Sequence, residues 1–255
     1  MTGLETASSG RDRVSILGVP VDCVTMDETM ECLANFLASD RPHLVVTADA
    51  SGIAQAQSDP ELMRLYREAD LVTPDSIGVL WAARRAGHQI AAPVSGVEIL
   101  DRVCRLSAER GHRIFFLGAE PGVAELAAER MRLRHPGCNI VGVRHGYFPP
   151  ESDEVVAQEV AEFKPDILVV AMGIPRQEKF IRATAPIIRA KVGIGVGGSL
   201  DVYSGKARRA PRLVQRMRME WFWRTALNPR KIKKARFLPR FVLLVVRSPR
   251  PRRDK

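Results

Sequence analysis

The chain reads as an α/β protein with an open, mostly parallel sheet, helices on both faces and a basic helical C-terminal appendage. Three observations predict this. Short apolar, β-branched runs alternate with longer stretches rich in Ala, Leu, Glu and Arg. Gly or Pro punctuates the junctions between them. The charge then changes sign near residue 205. Residues 206–255 hold 18 Lys and Arg against two acids, Glu220 and Asp254, a net of +16 in a chain that totals +10. The preceding 205 residues therefore carry about −6.

Residues 1–13 lack the apolar run of a signal peptide and read as a disordered start. Residues 14–204 read as the α/β core and 205–255 as the appendage. Strands are predicted at 14–19, 43–47, 113–117, 139–143, 166–172 and 191–196. The clearest helix is 121–134, with Pro121 at the favoured first position and Pro136 and Gly137 just beyond its end. This alternation specifies a Rossmann-like sheet, in which ligands sit at the carboxyl ends of the strands. Four cysteines, Cys23, Cys32, Cys104 and Cys138, lie far apart without a C-x-x-C pair, the pattern of buried reduced thiols in a cytosolic protein. No segment approaches the ~20 apolar residues that cross a bilayer. The longest run, 241–246, lies between Arg240 and Arg247, so it must lie on a membrane or pack on the domain.

The loops after the strands carry the candidate chemistry. Thr47 and Asp49 follow the second strand, either as an Asx/ST turn opening a helix near Gly52 or as the lining of a crevice. Asp75 either caps the helix that runs to about Ala86 or acts as a general base. The turn from Gly118 to Gly122 resembles a phosphate-binding turn, but it lacks G-x-G-x-x-G and its Glu120 would repel a phosphate. Gln177 opens the helix after the 166–172 strand, as part of a solvated helix start or of a diphosphate clamp. Gly197, Gly198 and Ser199 would let a ligand approach the backbone, or form a mere tight turn, and Asp201 could accept from a base or ribose.

Absences narrow the mechanism. There is no D-x-D pair for a divalent ion on a nucleotide diphosphate, no clustered-histidine zinc motif, no G-x-S-x-G and no Walker A loop. Leaving-group charge must then be met by Arg, Lys or backbone amides. The tail holds the arginines, and with them Trp221, Phe222, Trp223, Phe237 and Phe241. Aromatic and aliphatic residues beside cations favour an anionic lipid surface over nucleic acid.

Together these loops resemble the WecG/TagA/CpsF family of bacterial glycosyltransferases. The matching stretches are the Thr47 loop, "ADLVTPDSIGV", "FFLGAEPGVAE", "VGVRHGYF", "PDILVVAMGIPRQEKFI", "GVGGSLDVYSGKARRAP" and "EWFWRTALNPRK", in family order from about residue 14 to 236. The resemblance implies inverting, metal-independent transfer of a sugar, often N-acetylmannosamine or its uronic acid. The donor is a UDP-sugar, no cofactor is needed, and the acceptor is a polyprenyl-diphosphate-linked sugar at the cytoplasmic membrane face. It implies Asp75 as base, with Thr47, Gln177 and Arg224 as further catalytic residues. Tyr147 and Asp201 match its UDP contacts, and Asp49, Gly197, Gly198, Ser199 and Arg209 are further substrate-binding candidates.

Two positions depart from the family pattern. Asp49 stands where members usually have Asn, and Pro93 where they have Arg. That Arg is a cation expected near the leaving diphosphate. Arg84, Arg85 or a tail arginine takes its place, or the donor and acceptor preference has shifted. Rival readings are an RNA-binding protein using the tail, a nucleotide-dependent oxidoreductase on the same sheet, and a catalytically dead scaffold. The first lacks an RNP-type aromatic motif and the second the dinucleotide fingerprint. A homo-oligomer is compatible with the sequence.

Overall fold

The computed structural model describes residues 11–206 and 237–248. The chain opens with a hairpin of β1 (Arg13–Ile16) and β2 (Val19–Asp22), joined by Leu17 and Gly18 with φ of 52° and 81°. Such a two-residue turn needs left-handed backbone at both positions, which Gly18 supplies freely and Leu17 does not. The predicted strand 14–19 is therefore two short antiparallel strands outside the main sheet. The fold also starts before residue 14. Arg11 and Arg13 both hold the buried Asp22 carboxylate, which in turn accepts the Val72 amide at 2.8 Å.

The main sheet is six-stranded and all-parallel, in the order β4 (Leu71–Pro74), β3 (His43–Ala48), β8 (Val192–Gly195), β7 (Ile167–Ala171), β5 (Ile114–Gly118), β6 (Ile140–Arg144). Five of these match predicted runs. The short β4 was not among them, although the turn that follows it was read as strand-to-helix. The central strands are apolar along their whole length because both faces are covered. Leu44, Val46, Phe115, Leu117, Leu168 and Val170 face one core, while Val45, Ile114, Phe116, Ile167 and Val169 face the other.

The first core is roofed by α2 (Ala50–Ala56), α3 (Pro60–Glu68), α4 (Ile77–Arg85), α7 (Asp153–Glu162) and α8 (Arg176–Ile188). The second is roofed by α1 (Met26–Leu37), α5 (Gly96–Arg110), α6 (Val123–Arg134) and α9 (Ser199–Tyr203). Side-chain caps set several starts. Thr25 and Glu28 form a capping box on α1, and Asp49, Asp59, Ser76 and Ser95 cap α2, α3, α4 and α5. Ser76 thus takes the role the sequence offered to Asp75. In α6, Gly122 is the capping residue, so Pro121 lies before the helix, not at its first position.

A final helix, α10 (Phe237–Arg247), lies over α2. Phe241 and Val245, four residues apart, are buried in the first core, and Arg85 donates to the Val245 and Val246 carbonyls. Val242, Leu243 and Val246 remain about half exposed on its other side. Cys32, Cys104 and Cys138 are buried, Cys23 is half-buried, and all four are unpaired thiols. Among the described residues no helix is long and apolar enough to cross a membrane.

Candidate active site

The outgoing connections of β5 and β7 run in opposite directions, to β6 and to β8, so a crevice opens between their carboxyl ends. The loops after β3, β4, β5, β6, β7 and β8 all emerge along this edge, and they carry the sequence candidates as two connected groups.

The first group is built on Gly195, the last residue of β8. Thr47, buried near the end of β3, donates its hydroxyl to the Gly195 carbonyl at 2.8 Å. On the other side the Gln177 amide lies so close that a Cβ on Gly195 would come within 2.6 Å of Nε2. Gln177 is itself fully buried. Its Oε1 accepts from the Gly173 amide at 3.1 Å and the Gly197 amide at 3.0 Å, and its Nε2 donates to Glu178. Gln177 therefore joins the loops after β7 and β8. The Gly197 amide that the sequence offered to a ligand is bonded to it, and the Ser199 hydroxyl turns inward to Val196.

Asp75 follows β4, and its amide donates to the Ala48 carbonyl at 2.9 Å, which sets it beside the β3 loop. Asp49 accepts from the Ser51 hydroxyl and the Gly52 amide, the turn geometry that the sequence allowed. Beneath this loop lies Tyr66 of α3, a fully buried side chain whose hydroxyl would be 2.4 Å from a Cβ on Gly52. Burial first, then the charges of Glu178, Asp49 and Asp75, push its phenol well above the ordinary tyrosine range. Sequence reading missed Tyr66, because an aromatic on the apolar face of a helix carries no mark beyond core packing.

The second group faces the β5–β7 crevice. Tyr147, mostly exposed, donates its hydroxyl to Glu120 at 3.2 Å, and Glu120 also pairs with Lys206. Asp201, in the first turn of α9, adds its charge to this cluster and raises the Lys206 pKa further after Glu120. Gly146 is pressed against Gly118, with room for no Cβ, which fixes the loop that presents Tyr147. Arg209 and Arg224 lie outside the described residues.

The structure also bears on the missing family arginine. Val94 donates its amide to the Pro74 carbonyl at 2.9 Å, so Pro93 lies beside the Asp75 loop. Arg84 and Arg85 sit in the last turn of α4, about 11–12 Å along the helix from its start at that loop. Arg85 is moreover committed to α10.

One group among the described residues, Asp12, Cys23 and His88, brings three ligand-type atoms within 4.8 Å of one another. It belongs to the hairpin and the loop after α4, apart from the two groups above.

A parallel sheet whose loops present Thr47, Asp75, Gln177, Tyr147 and Asp201 along one edge agrees with a family model that matches residues 14–255, the Glycosyl transferase WecG/TagA/CpsF family. The chain belongs to the WecG/TagA/CpsF family. Curated relatives include an N-acetylglucosaminyldiphosphoundecaprenol N-acetyl-beta-D-mannosaminyltransferase of Staphylococcus aureus strain MRSA252, 30% identical over 244 residues, covering 95% of each chain. The protein of that name from strain NCTC 8325 / PS 47 has the same identity and coverage. The protein is thus a WecG/TagA-type glycosyltransferase, and its two groups of residues are candidates for the two substrates of such a transfer.

Proposed function

We propose that the protein transfers an N-acetylmannosamine-type or related hexose from a UDP-sugar to a polyprenyl-diphosphate-linked sugar, with inversion and without a metal. The observation that carries this reading is the placement of Asp75 beside the Thr47–Gln177 group, on the same edge as Tyr147 and Asp201. The relatives' names, which specify a mannosaminyl transfer to N-acetylglucosaminyldiphosphoundecaprenol, support the choice of substrates. The chain would then serve cell-surface polysaccharide or teichoic-acid-type synthesis.

The step is a single displacement. Asp75 takes the proton from the acceptor hydroxyl, whose oxygen forms a bond to C1 of the donor sugar. The C1–O bond to UDP breaks on the opposite face, and the electron pair leaves with the diphosphate. Tyr147 and Asp201 hold the nucleotide, while Gln177 keeps the loops after β7 and β8 at the spacing the leaving group needs. Tail arginines such as Arg224, with Arg209, complete the donor side. General-base help is commonly worth about 10²–10⁴ in rate. Asp75→Asn should lower transfer by about that factor while leaving the UDP Kd unchanged; full activity in the variant would remove Asp75 from the mechanism.

Membrane attachment belongs to the same reading. The exposed apolar side of α10 lies between Arg240 and Arg247, within the 206–255 segment of net +16. Such a surface suits the inner face of an anionic bilayer, where the lipid acceptor resides. The deciding experiment is a screen of UDP-sugars against polyprenyl-diphosphate-N-acetylglucosamine, with the product's anomeric configuration read by NMR. Turnover with no UDP-sugar would overturn the proposal.

A further inference from the structure

The loop after β5 places a carboxylate on an edge otherwise suited to a diphosphate, and its backbone is held hard. Gly118, Ala119 and Gly122 have φ of 136°, 58° and 81°. Ala119 occupies a left-handed conformation that alanine adopts only under constraint. The constraint is visible: its amide donates to the Ala171 carbonyl and its carbonyl accepts from the Gly146 amide, both at 2.9 Å. Glu120 therefore rises from a fixed point. One of its oxygens accepts from the Tyr147 hydroxyl, and the other pairs with the Lys206 ammonium from the segment just past α9.

We propose that Lys206 is a diphosphate-binding residue of the donor site and that Glu120 is its counter-ion in the empty enzyme, displaced when UDP arrives. This rests on the UDP-sugar reading above. Three observations carry it. First, the pair sits against Tyr147 and beside Asp201, the two candidate nucleotide contacts. Second, two other cations near this edge, among the described residues, are committed. Arg144 pairs with Glu159 and Arg176 with Asp153, and both guanidinium groups stack on Phe148. Third, the Lys206 and Glu120 side chains are 48% and 37% exposed. An ion pair so open to water contributes little to stability, so exchanging its carboxylate for a diphosphate costs little. Lysine suits the exchange, since its flexible stem carries a point charge that can swing between anions. In the empty site Glu120 neutralises Lys206. With UDP bound, the lysine turns to the diphosphate and Glu120 turns to solvent.

The test is calorimetric titration of the full chain with UDP and, separately, with uridine. Both residues are surface-exposed, so their variants should fold, which far-UV CD would verify. Lys206→Met should weaken UDP binding about tenfold or more and leave uridine binding unchanged. Lys206→Arg should restore most of the UDP affinity. Glu120→Gln should tighten UDP about threefold by freeing the cation. Equal UDP affinity in wild type and Lys206→Met would overturn the assignment, and weaker UDP binding in Glu120→Gln would overturn the counter-ion role. A wild-type chain that binds no UDP would sink the donor reading itself, a separate failure seen before any variant is made.

Discussion

Gly195 is the residue on which Thr47 and Gln177 meet. Its carbonyl takes the Thr47 hydroxyl, and its bare Cα leaves the space that the Gln177 amide fills. Gly195→Ala should push Gln177 off the Gly173 and Gly197 amides, lowering both the melting temperature and the transfer rate; unchanged turnover would show that this brace is dispensable. Gln177→Ala removes the acceptor for those two half-buried amides, and losing such hydrogen bonds costs about 1 kcal/mol each. Denaturant unfolding should register a loss of that order. Gln177 was legible in sequence because it sits just after an apolar strand and a Gly-Pro turn. The Glu120–Lys206 pair was not, because the residues are 86 apart and each alone looks like an ordinary surface charge. Tyr66 was hidden for the opposite reason, since its helical spacing fits a core residue fully.

At the level of elements, the parallel strands were legible because strands covered on both faces are apolar throughout. The hairpin was not, since Leu17 has no propensity for a left-handed turn and the run from Val14 to Val19 looks continuous. β4 is only four residues long, and its last is a proline, so pairing with β3 defines it more than its composition does. For 241–246 the sequence left two fates open, and the helix packs one side on the domain while its other side stays exposed. Phe241→Ala should cost about 3–5 kcal/mol of packing and release α10 from α2, seen as faster proteolysis near residue 237. The start of β3 carries a pH-sensitive clasp. Burial first, then the Arg41 cation, holds the His43 pKa below its ordinary value despite Asp70, whose Oδ1 is 3.1 Å from Nδ1. Burial pushes Asp70 up, but Arg41, the Leu44 amide and His43 outweigh it and hold its carboxyl low. Both folded values lie below the unfolded ones, so both contributions are complete at neutral pH and are lost on acidification. His43 loses its share first, as pH falls below about 6.5, and Asp70 follows below about 4. His43→Phe should flatten the upper part of the stability–pH curve measured by urea unfolding. An unchanged slope between about pH 6.5 and 5 would exclude His43 as its source.

For the whole molecule, charge is divided as sharply as chemistry. A core of about −6 precedes a segment of +16, so attraction to an anionic leaflet should fall steeply with salt. Flotation with phosphatidylglycerol vesicles should show binding that weakens between 50 and 500 mM salt, a range chosen to shorten the Debye length to a few ångströms, about 3 Å at 1 M. Replacing Leu243 and Val246 with Ser should reduce whatever binding survives at high salt, since that remainder is apolar. Loss of salt dependence would remove the electrostatic part of the membrane reading.

The buried Asp22 has a consequence for how copies of this chain behave in a crowded solution. β4 is an edge strand, and an edge strand with unpaired amides is a template on which another polypeptide can add a strand. Asp22 takes the Val72 amide at 2.8 Å, and the arginine-clamped hairpin lies alongside. The side chain ends the hydrogen-bond ladder where a seventh strand would begin. Asp22→Ala would reopen that edge, and its first symptom should be concentration-dependent aggregation in light scattering, ahead of any loss of donor binding.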